Sequence, residues 1–305
     1  MKTSSQNTVV LFPARPGTRE IDSSFRDELT AAASAGFATA LVDEGELTFG
    51  GDVRLVNMPR DSGLAIYRGW LLRAAHYGRL AEELEKSGYQ LLTSPGAYLR
   101  TYHLPEWYSA ISDTGLTPRS IWLPGVQFDL ANVAEHVRTT FGHSALILKD
   151  YVKSRKHEWF EACFIPDAAD TEAVQRVVAR FLELQGDFLV GGLVFREYWS
   201  TKTIGQHPRS RAPLANEHRL FALNGSLFFS GPYWSVVEYE GPRPPTDFIA
   251  PILSRSISPF FAVDIAERDD GRWFVVELND GGTAGLPQPA LADEFYRALA
   301  RSLDE

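Results

Sequence analysis

The chain has 305 residues, of which 44% are hydrophobic and 23% are charged, and its formal net charge is −9. Such a composition is typical of a globular protein with a large core divided into two or three lobes, and it excludes a disordered or fibrous chain. The negative charge argues against nucleic-acid or membrane-surface binding as the main activity, whereas a homo-oligomer stays open. A single cysteine excludes an internal disulfide, and the chain shows neither a secretory signal nor an apolar run of about 20 residues that would span a bilayer. A cytoplasmic protein is therefore predicted.

The first third of the chain alternates short apolar runs with helical patterns. Strands are predicted at residues 8–12, 38–42, 53–56, 65–67 and 89–92. Helices are predicted at residues 25–35 and 79–86, and the aromatic-rich residues 95–112 are expected to form short helices. The economical interpretation is a small α/β lobe that spans residues 1–115.

Residues 144–153, with the sequence SALILKDYVK, are predicted to form one strand. Side chains alternate between the two faces of a strand, so Lys149 and Lys153 are expected on the same face. Residues 154–157 add further cationic donors directly after the strand, and such a cluster suits a polyphosphate. A solvent-facing edge strand whose lysines deter aggregation is the alternative.

The middle and the end of the chain are predicted to alternate helices with buried strands. Helices are expected at residues 130–140, 171–184, 246–256 and 289–301. An apolar strand at residues 187–199 ends in the polar Arg196, Glu197 and Tyr198, which interrupt a buried pattern. Cys163 lies in a strand-like run and is expected to fill a small buried position rather than to act as a nucleophile.

A first hairpin is predicted over residues 213–227. Its signal is Asn224-Gly225, because both residues tolerate the positive φ that a tight two-residue turn requires. Strand alternation then places Glu217 and Arg219 on one face, where they are able to form a structural ion pair.

A second hairpin, residues 261–282, carries two acidic residues in an otherwise buried pattern. Asp270-Gly271 predicts a two-residue turn, and the register that follows places Asp264 directly opposite Glu277, with Asn279 on the same face. These hard oxygen donors suit Mg²⁺ or Mn²⁺. Two alternatives stay open. The acids of a solvated hairpin would simply face water, and a three-residue loop would shift the register by one and put the carboxylates on opposite faces.

The order of these features resembles the ATP-grasp superfamily over roughly the last two-thirds of the chain: a lysine strand, Glu-Tyr after an apolar strand, Glu-x-Arg on a hairpin, then Asp and Glu-x-Asn. The resemblance implies an α+β fold in which two α+β lobes clamp ATP behind an N-terminal α/β lobe. Residues 1–115 would form that first, substrate-binding lobe. Residues 116–305 would form the ATP-grasp domain, divided into a lysine-strand lobe (116–195) and a metal-binding lobe (196–305). No glycine-rich loop follows the lysine strand, which resembles a short bacterial and phage branch of the superfamily.

The resemblance also implies roles for individual side chains. Contacts to ATP are expected from Lys149, Lys153, Arg155, Glu197, Tyr198 and Glu217. The expected ligands of Mg²⁺ or Mn²⁺ are Asp264, Glu277 and Asn279. The cations expected to act on the transferred phosphate are Arg219 and Lys153. The candidates for a carboxylate clamp on the acceptor, with packing on surface aromatics as the alternative, are Arg68, Arg100 and His103.

The implied reaction is ATP-dependent ligation of a carboxylate to an amine through an acylphosphate, with release of ADP and phosphate. Small molecules or peptide ends are the expected substrates, and residues 206–211 are expected to shape the acceptor site together with the first lobe. Three alternatives remain: a phosphotransferase, a protein that binds ATP without turnover, and a glycosidase that uses Asp264 and Glu277. The last is disfavoured because so close a pair leaves little room for a sugar.

Overall fold

Three main sheets follow one another along the chain, and helices cover their faces. The structure, a computed structural model, describes residues 4–208, 213–239, 244–286 and 288–305. A small α/β lobe is followed by two α+β lobes, in agreement with the fold expected from the sequence. Within the described ranges, none of the helices combines the length and the apolar character needed to cross a membrane.

The first lobe is built on a five-stranded sheet. Its strands are β1 (Thr8–Ala14), β2 (Ala38–Asp43), β3 (Leu55–Val56), β4 (Gly63–Tyr67) and β5 (Tyr89–Leu91). Its helices are α1 (Arg26–Ser34), α2 (Glu44–Phe49), α3 (Ala74–Lys86), α4 (Pro95–Tyr102) and α5 (Leu104–Ile111). The strand order is β3-β2-β1-β4-β5, parallel except for β3. Since apolar clusters cover both faces, the central strand β1 is buried at every position.

The lysine-strand lobe contains a four-stranded antiparallel sheet. Its strands are β6 (Ser120–Pro124), β7 (Leu146–Asp150), β8 (Phe164–Ile165) and β9 (Gly192–Glu197), in the order β6-β9-β7-β8. Its helices are α6 (Leu130–Phe141), α7 (Trp159–Ala162) and α8 (Thr171–Gln185). The carboxylates of Asp129 and Asp170 cap the N-termini of α6 and α8, and Gly142 and Gly186, both with positive φ, end the two helices.

The predicted lysine strand is shorter than the sequence pattern suggested. β7 ends at Asp150, whose Oδ1 accepts the backbone N–H groups of Val152 and Lys153 at 2.7 and 2.6 Å. This side-chain cap turns the chain away from the sheet. The prediction that Lys149 and Lys153 share one strand face is therefore wrong, because Lys153 lies in the turn beyond the strand.

The third lobe carries a second antiparallel sheet and the C-terminal helix. Its strands are β10 (Thr203–Gln206), β11 (Pro213–Ala215), β12 (Glu217–Leu223), β13 (Ser226–Pro232), β14 (Phe260–Glu267) and β15 (Trp273–Asp280). Its helices are α9 (Ala250–Leu253) and α10 (Ala292–Asp304). β10 pairs with β11 alone, and the main sheet has the order β13-β12-β14-β15. Asn224 and Gly225 form the tight turn predicted between β12 and β13, with φ of 49° and 81°.

Two predicted elements are shorter in the structure, and one predicted segment is only partly described. The strand expected at residues 187–199 is reduced to β9, and the helix expected at residues 246–256 is a 3₁₀ turn (Thr246–Ile249) followed by the single turn of α9. Of the segment expected to shape the acceptor site, residues 209–211 lie outside the described part of the chain.

The turn between β14 and β15 differs from the predicted one. The N–H of Arg268 donates to the carbonyl of Arg272 at 2.8 Å, so residues 269–271 form a three-residue loop instead of a two-residue turn. Gly271 supplies the positive φ of 80°, and the Asp270 carboxylate accepts the Arg272 N–H at 3.1 Å. The aspartate thus caps the loop rather than occupying a type I′ position.

The predicted pairing of the two acidic residues is nevertheless confirmed, because Asp264 lies directly opposite Glu277. The longer loop shifts the register, so that Ile265 pairs with Val275, and a β-bulge at Val276 then restores it. If the pairing near the turn continued without the bulge, Asp264 would face Val276 and Glu277 would point to the other side of the sheet. The β-bulge, which the alternation of side chains in the sequence does not reveal, therefore places the two carboxylates opposite each other.

The first and third lobes share one apolar cluster, and the lysine-strand lobe has a cluster of its own besides the contact of Val194 on β9 with the third lobe. α10 packs against α1, and the ring centroids of Phe295 and of Phe221 on β12 are 4.9 Å apart. The ring centroids of the neighbouring Tyr296 and of Phe12 on β1 are 6.4 Å apart. α6 and α8 enclose the separate cluster of the lysine-strand lobe. β9 crosses the predicted internal boundary between residues 195 and 196, and the domain limits stay predictions.

Candidate active site

A cavity of about 380 Å³, here called the first cavity, lies between the sheet of the lysine-strand lobe and that of the third lobe. Its charged lining residues include Lys149, Lys156, Arg196, Glu197, Glu217 and Glu277. Its aromatic lining residues include Trp159, Tyr198, Trp199, Tyr233, Trp234 and Phe274. Aromatic walls next to cations suit a flat ring system that carries phosphates.

A second cavity of about 300 Å³ lies between the first lobe and the third lobe. Side chains of its wall include Phe25, Trp70, Lys153, Arg219, Asp264 and Asn279. Tyr233 and Glu277 line both cavities. The two spaces therefore meet at these two side chains, so a ligand in one cavity would be next to a ligand in the other.

Lys149 and Glu277 face each other across the gap between the two sheets. The Lys149 ammonium, at the end of β7, lies 3.5 Å from Glu277 Oε2, and the lysine side chain is only 9% exposed. Burial by itself would raise the pKa of Glu277, but nearby cations lower it below its usual value. These cations are Lys149, Lys156, Arg219 and Arg196. Glu277 is therefore an ionised carboxylate at neutral pH.

Lys156 lies at the centre of the site, although the sequence pattern did not single it out. Its ammonium is 5.9 Å from the centroid of the Tyr233 ring. Burial by itself would lower the pKa of Lys156, but the surrounding phenol and carboxyl groups raise it. These groups are Tyr233, Glu217, Glu277 and Asp264. The sequence signal was the density of cations at residues 154–157, which does not reveal which of them faces the cavity.

The predicted nucleotide-binding residues at the end of β9 and the start of β12 line the first cavity. Glu197 Oε1 accepts a hydrogen bond from the Ser144 hydroxyl at 3.2 Å, and the Tyr198 ring packs 5.2 Å from Phe164. Glu217 is buried, and its burial raises the pKa to about 7, against the opposing effect of Lys156. The structure thus brings these three predicted side chains into one wall.

Arg219 and Asp264 form a bidentate ion pair at the junction of the two cavities. Arg219 Nε and Nη2 each lie 2.7 Å from an oxygen of Asp264, and the guanidinium stacks 5.0 Å from the Tyr233 ring centroid. Asn279 Nδ2 donates to Asp264 Oδ2 at 3.1 Å. Of the hairpin residues predicted to act together, Asp264 and Asn279 are therefore in direct contact, and Glu277 lies opposite Asp264 in the sheet.

The donor chemistry of the three predicted metal ligands fits a hard divalent cation. Asp264, Glu277 and Asn279 offer carboxylate and amide oxygens on one wall of the second cavity. The ammonium of Lys149 and the guanidinium of Arg219 already balance the two carboxylates, so this position accommodates positive charge. Within the described ranges, no group of three His, Cys, Asp or Glu side chains forms a metal centre, and the third donor here is an amide.

Lys153 and Arg155, both predicted to contact ATP, do not line the first cavity. Lys153 lines the second cavity. Arg155 points the other way, and its guanidinium donates to the backbone carbonyl of Leu184 at the end of α8. The cap at Asp150 explains both placements, because it turns the chain before residue 153.

In the part of the chain that the structure describes, neither Arg100 nor His103 lines one of the two cavities. Arg100 Nε donates to the Ile257 carbonyl at 2.8 Å, which ties α4 to the third lobe. The His103 ring packs 5.0 Å from Tyr102 and 5.6 Å from Tyr151, and burial lowers its pKa. These contacts give both residues packing roles, and the predicted carboxylate clamp does not form from them.

Arg68 lines the second cavity, yet its donors are already engaged. The guanidinium is 1% exposed and contacts both Glu28 oxygens, at 2.7 and 3.0 Å through Nη2. Its Nη1 donates to the carbonyls of Gly281 and Ala284 at 2.6 and 2.8 Å. Arg68 therefore holds the loop after β15 against the first lobe, and this use replaces the substrate clamp suggested by the sequence.

Several proteins of known structure share this architecture. D-cycloserine synthetase DcsG is 14% identical, with a TM-score of 0.61 over 97% of this chain and 99% of the other. The ATP-grasp ligase PsnB, in complex with the precursor peptide PsnA2 and AMPPNP, is 13% identical, with a TM-score of 0.56 over 98% of both chains. PsnB in complex with a minimal precursor, Mg and ADP gives 14% identity and the same TM-score over 99% and 100%. None of the curated proteins compared with the chain matches it.

Residues 140–299, just over half of the chain, match a family described as ATP-grasp domain, R2K clade family 3. The matched region begins before the lysine strand β7 and ends within α10, so it includes both hairpins and every side chain at the junction of the two cavities. The structural neighbours show the same fold over nearly the whole chain. The chain therefore belongs to the ATP-grasp family, R2K clade family 3.

Proposed function

We propose that this ATP-grasp enzyme is an ATP-dependent carboxylate–amine ligase that acts on a small molecule or a peptide end. The observation that carries the proposal is the junction of the two cavities at Tyr233 and Glu277. ATP in the first cavity and an acid in the second would meet there with the γ-phosphate next to the acceptor carboxylate. Such placement removes much of the entropic barrier to a reaction between two ligands.

The nucleotide would be bound mainly by the first cavity. Its aromatic wall, which includes Tyr198 and Phe274, would enclose the base, and Glu197 would accept hydrogen bonds from the ribose or the adenine edge. Lys149 and Lys156 would contact the phosphates: the Lys149 ammonium lies 3.5 Å from Glu277 at the junction, and Lys156 lines the same cavity. In this arrangement Lys156 would take the role that was expected of Arg155.

Mg²⁺, when bound by the oxygen donors Asp264, Glu277 and Asn279, would neutralise phosphate charge. The carboxylates now pair with Arg219 and Lys149. When phosphates attract these two cations, the carboxylates become free to hold the metal. The solved relative PsnB has been observed with Mg and ADP, which supports the same cofactors here.

The reaction would proceed in two substitutions. An oxygen of the acceptor carboxylate attacks the γ-phosphorus of ATP, the bond to the β-phosphate oxygen breaks, and ADP leaves. The amine nitrogen then attacks the acylphosphate carbon and loses a proton, the C–O bond to phosphate breaks, and the amide and inorganic phosphate are released. Arg219 and Lys153, on the wall of the second cavity, would stabilise the negative charge of the transferred phosphate.

Calorimetric titration with ATP, with and without Mg²⁺, tests the site directly on the wild type and on Glu277→Gln. The substitution removes one charge at nearly constant shape. We expect Mg²⁺ to strengthen ATP binding by the wild type. In the variant, the factor by which Mg²⁺ raises the affinity for ATP should be at least about tenfold smaller, since loss of even an outer partner of a metal ligand lowers metal affinity by this much. Glu135→Gln, the same change on the exposed surface of α6, is the control.

The outcomes separate the proposal from its alternatives. A folded wild type that binds no ATP would contradict the ATP-grasp function. If ATP binds, a screen of acids and amines for ADP release follows, with hydroxylamine added to trap an acylphosphate. A phosphorylated alcohol as product would identify a phosphotransferase, and binding without any turnover would identify a nucleotide-binding protein.

A further inference from the structure

Arg196 is a buried cation to which the proposed reaction gives no role. It is 7% exposed on β9, yet its hydrogen bonds reach the third lobe. Arg196 Nη2 donates to the backbone carbonyls of Val275 and Val276 at 2.9 and 3.0 Å. The hydroxyls of Thr117 and Ser120 accept from the same guanidinium at 2.8 and 3.2 Å. One side chain therefore joins the lysine-strand lobe to a single point of β15.

That point is the β-bulge of the catalytic hairpin. β15 is an edge strand, and its ladder with β14 is interrupted at Val276. The outward polar groups of a buried bulge need partners, because an unpaired buried carbonyl costs free energy. Here the Leu116 carbonyl accepts the Val275 N–H at 2.7 Å, and the Thr117 hydroxyl and Arg196 donate to the Val275 carbonyl. The backbone polar groups of the bulge thus find their hydrogen-bond partners outside their own sheet.

We propose that Arg196 is a positioning residue that selects the bulged register of β15 and thereby aligns Glu277 and Asn279 with Asp264. The two possible pairing registers of β14 and β15 differ by a shift of one residue. In the bulged register Glu277 faces Asp264, and in a regular ladder that continues from the turn Val276 would take that place. By binding both carbonyls of the bulge, Arg196 stabilises only the first state. The inference rests on the proposed function, because the aligned donors are those of the proposed metal site.

The chemistry of a guanidinium suits this task. Its planar group donates in several fixed directions, so it serves two carbonyls and two hydroxyls together, and it stacks 5.4 Å from the Trp107 ring centroid. An ammonium group in its place keeps the charge but lacks that planar set of donors. Substitution by lysine should therefore restore only part of the function, and substitution by methionine should remove it while keeping the apolar stem.

The experiment compares Arg196→Met and Arg196→Lys with a matched control, Phe195→Leu. Phe195 is the preceding residue on β9, but it is fully buried in the core on the opposite face and does not touch the bulge. AMPPNP binding is measured with and without Mg²⁺, and amide hydrogen exchange is followed over residues 273–280. We expect Arg196→Met to lower the Mg²⁺-dependent gain in affinity by about 10–100-fold, as for lost outer partners of metal ligands, with Arg196→Lys in between.

Amide exchange in β15 should accelerate in Arg196→Met beyond any change in Phe195→Leu. The inference would be overturned if Arg196→Met keeps the wild-type gain from Mg²⁺, or if Phe195→Leu loses as much of it. If Arg196→Met does not fold, the lysine variant decides between the same outcomes. If the wild type binds no nucleotide, the proposed function fails, while the exchange of residues 273–280 still decides whether Arg196 holds the register.

Discussion

Opposite charges are packed together at the junction of the two cavities. The cations are Lys149, Lys156 and Arg219, and the carboxylates are Glu217, Asp264 and Glu277. Removing a cation from this set leaves a buried carboxylate, such as Glu217 or Asp264, uncompensated, which costs far more than loss of a surface pair. A nucleotide that brings phosphates and Mg²⁺ together can exchange these partners without leaving a charge unpaired. We therefore expect tight ATP binding to require the metal.

Lys156→Gln should weaken ATP binding by about tenfold to a hundredfold, because an ammonium on the wall of the first cavity would form charge-assisted hydrogen bonds to phosphate, each worth roughly 1.5–3 kcal/mol. Titration calorimetry in the presence of Mg²⁺ measures the change. Lys86→Gln is the control, since Lys86 pairs with Glu83 on the surface of α3 and its side chain is 70% exposed. Equal affinities of wild type and Lys156→Gln would show that the ammonium does not reach the nucleotide.

Among the secondary-structure elements, β15 and the loop that follows it connect the three lobes. Arg196 of the lysine-strand lobe binds the bulge of β15, and Arg68 of the first lobe binds the loop carbonyls after it. Asp280, the last residue of β15, accepts the N–H groups of Gly282 and Thr283 at 2.8 and 3.1 Å. β15 and its loop are thus held by the lysine-strand lobe through Arg196 and by the first lobe through Arg68. Glu277 lies on β15 between these two contacts.

The anchor at Asp280 predicts a pH-dependent stability. Burial raises the pKa of Asp280 to about 7, although hydrogen bonds from Gly282, Thr93 and Thr283 oppose the rise. The unfolded chain titrates near pH 4, so between about pH 4 and 7 the folded state binds one more proton than the unfolded state. The stabilisation from this proton is complete below about pH 4 and is lost as the pH rises through 7, with a slope of at most about 1.4 kcal/mol per pH unit.

Asp280→Asn should remove this contribution, because the amide oxygen still accepts the loop N–H groups but does not titrate. Urea unfolding of both proteins between pH 5 and pH 8 checks the prediction through the difference of their free energies of unfolding. Burial also raises the pKa of Glu44 and Glu217 to about 7, and their contributions cancel in that difference. A difference that does not change with pH would contradict the assignment.

The whole molecule has one core shared by the first and third lobes and another inside the lysine-strand lobe, while Val194 of β9 also packs with the sheet of the third lobe. Because α10 packs in one cluster with β1 of the first lobe and β12 of the third, these two lobes share an interior, although the other face of the first sheet has a cluster of its own. The Tyr296 hydroxyl of α10 crosses the same interface and donates at 2.8 Å to Glu28, which forms a buried ion pair with Arg68 inside the first lobe. The lysine-strand lobe keeps its own cluster around α6 and α8. We therefore expect the first and third lobes to unfold together.

Leu299→Ala, in the shared core, should reduce the free energy of unfolding by roughly 2–5 kcal/mol, the usual cost of a fully buried leucine. Amide exchange should accelerate in β1 and in β12 alike, although α10 lies at the other end of the chain from β1. Leu146→Ala, in the core of the lysine-strand lobe, is the matched control and should leave β1 protected. Acceleration confined to the third lobe in Leu299→Ala would contradict a common folding unit.

Local patterns were sufficient for much of the fold and for part of the site. The parallel strands of the first lobe, the Asn224-Gly225 turn and the amphipathic helices α8 and α10 follow from periodicity and turn chemistry. The pairing of Asp264 with Glu277 is correct as well, but for a reason that no local pattern contains. The expected two-residue turn is absent, and the bulge at Val276 compensates for the longer loop.

What the sequence determined by itself is the set of chemical groups and their order along the chain, because hydrophobic periodicity and turn residues act over a few positions. The tertiary structure alone decided which of these groups face a cavity. Lys156 lines the first cavity, whereas Arg155 donates to the Leu184 carbonyl, because the Asp150 carboxylate turns the chain after β7. Arg68 is occupied by Glu28 and by carbonyls more than 200 positions away, and Arg196 holds a bulge in another lobe. Such contacts depend on burial and on hydrogen bonds between distant segments, which adjacent residues do not encode.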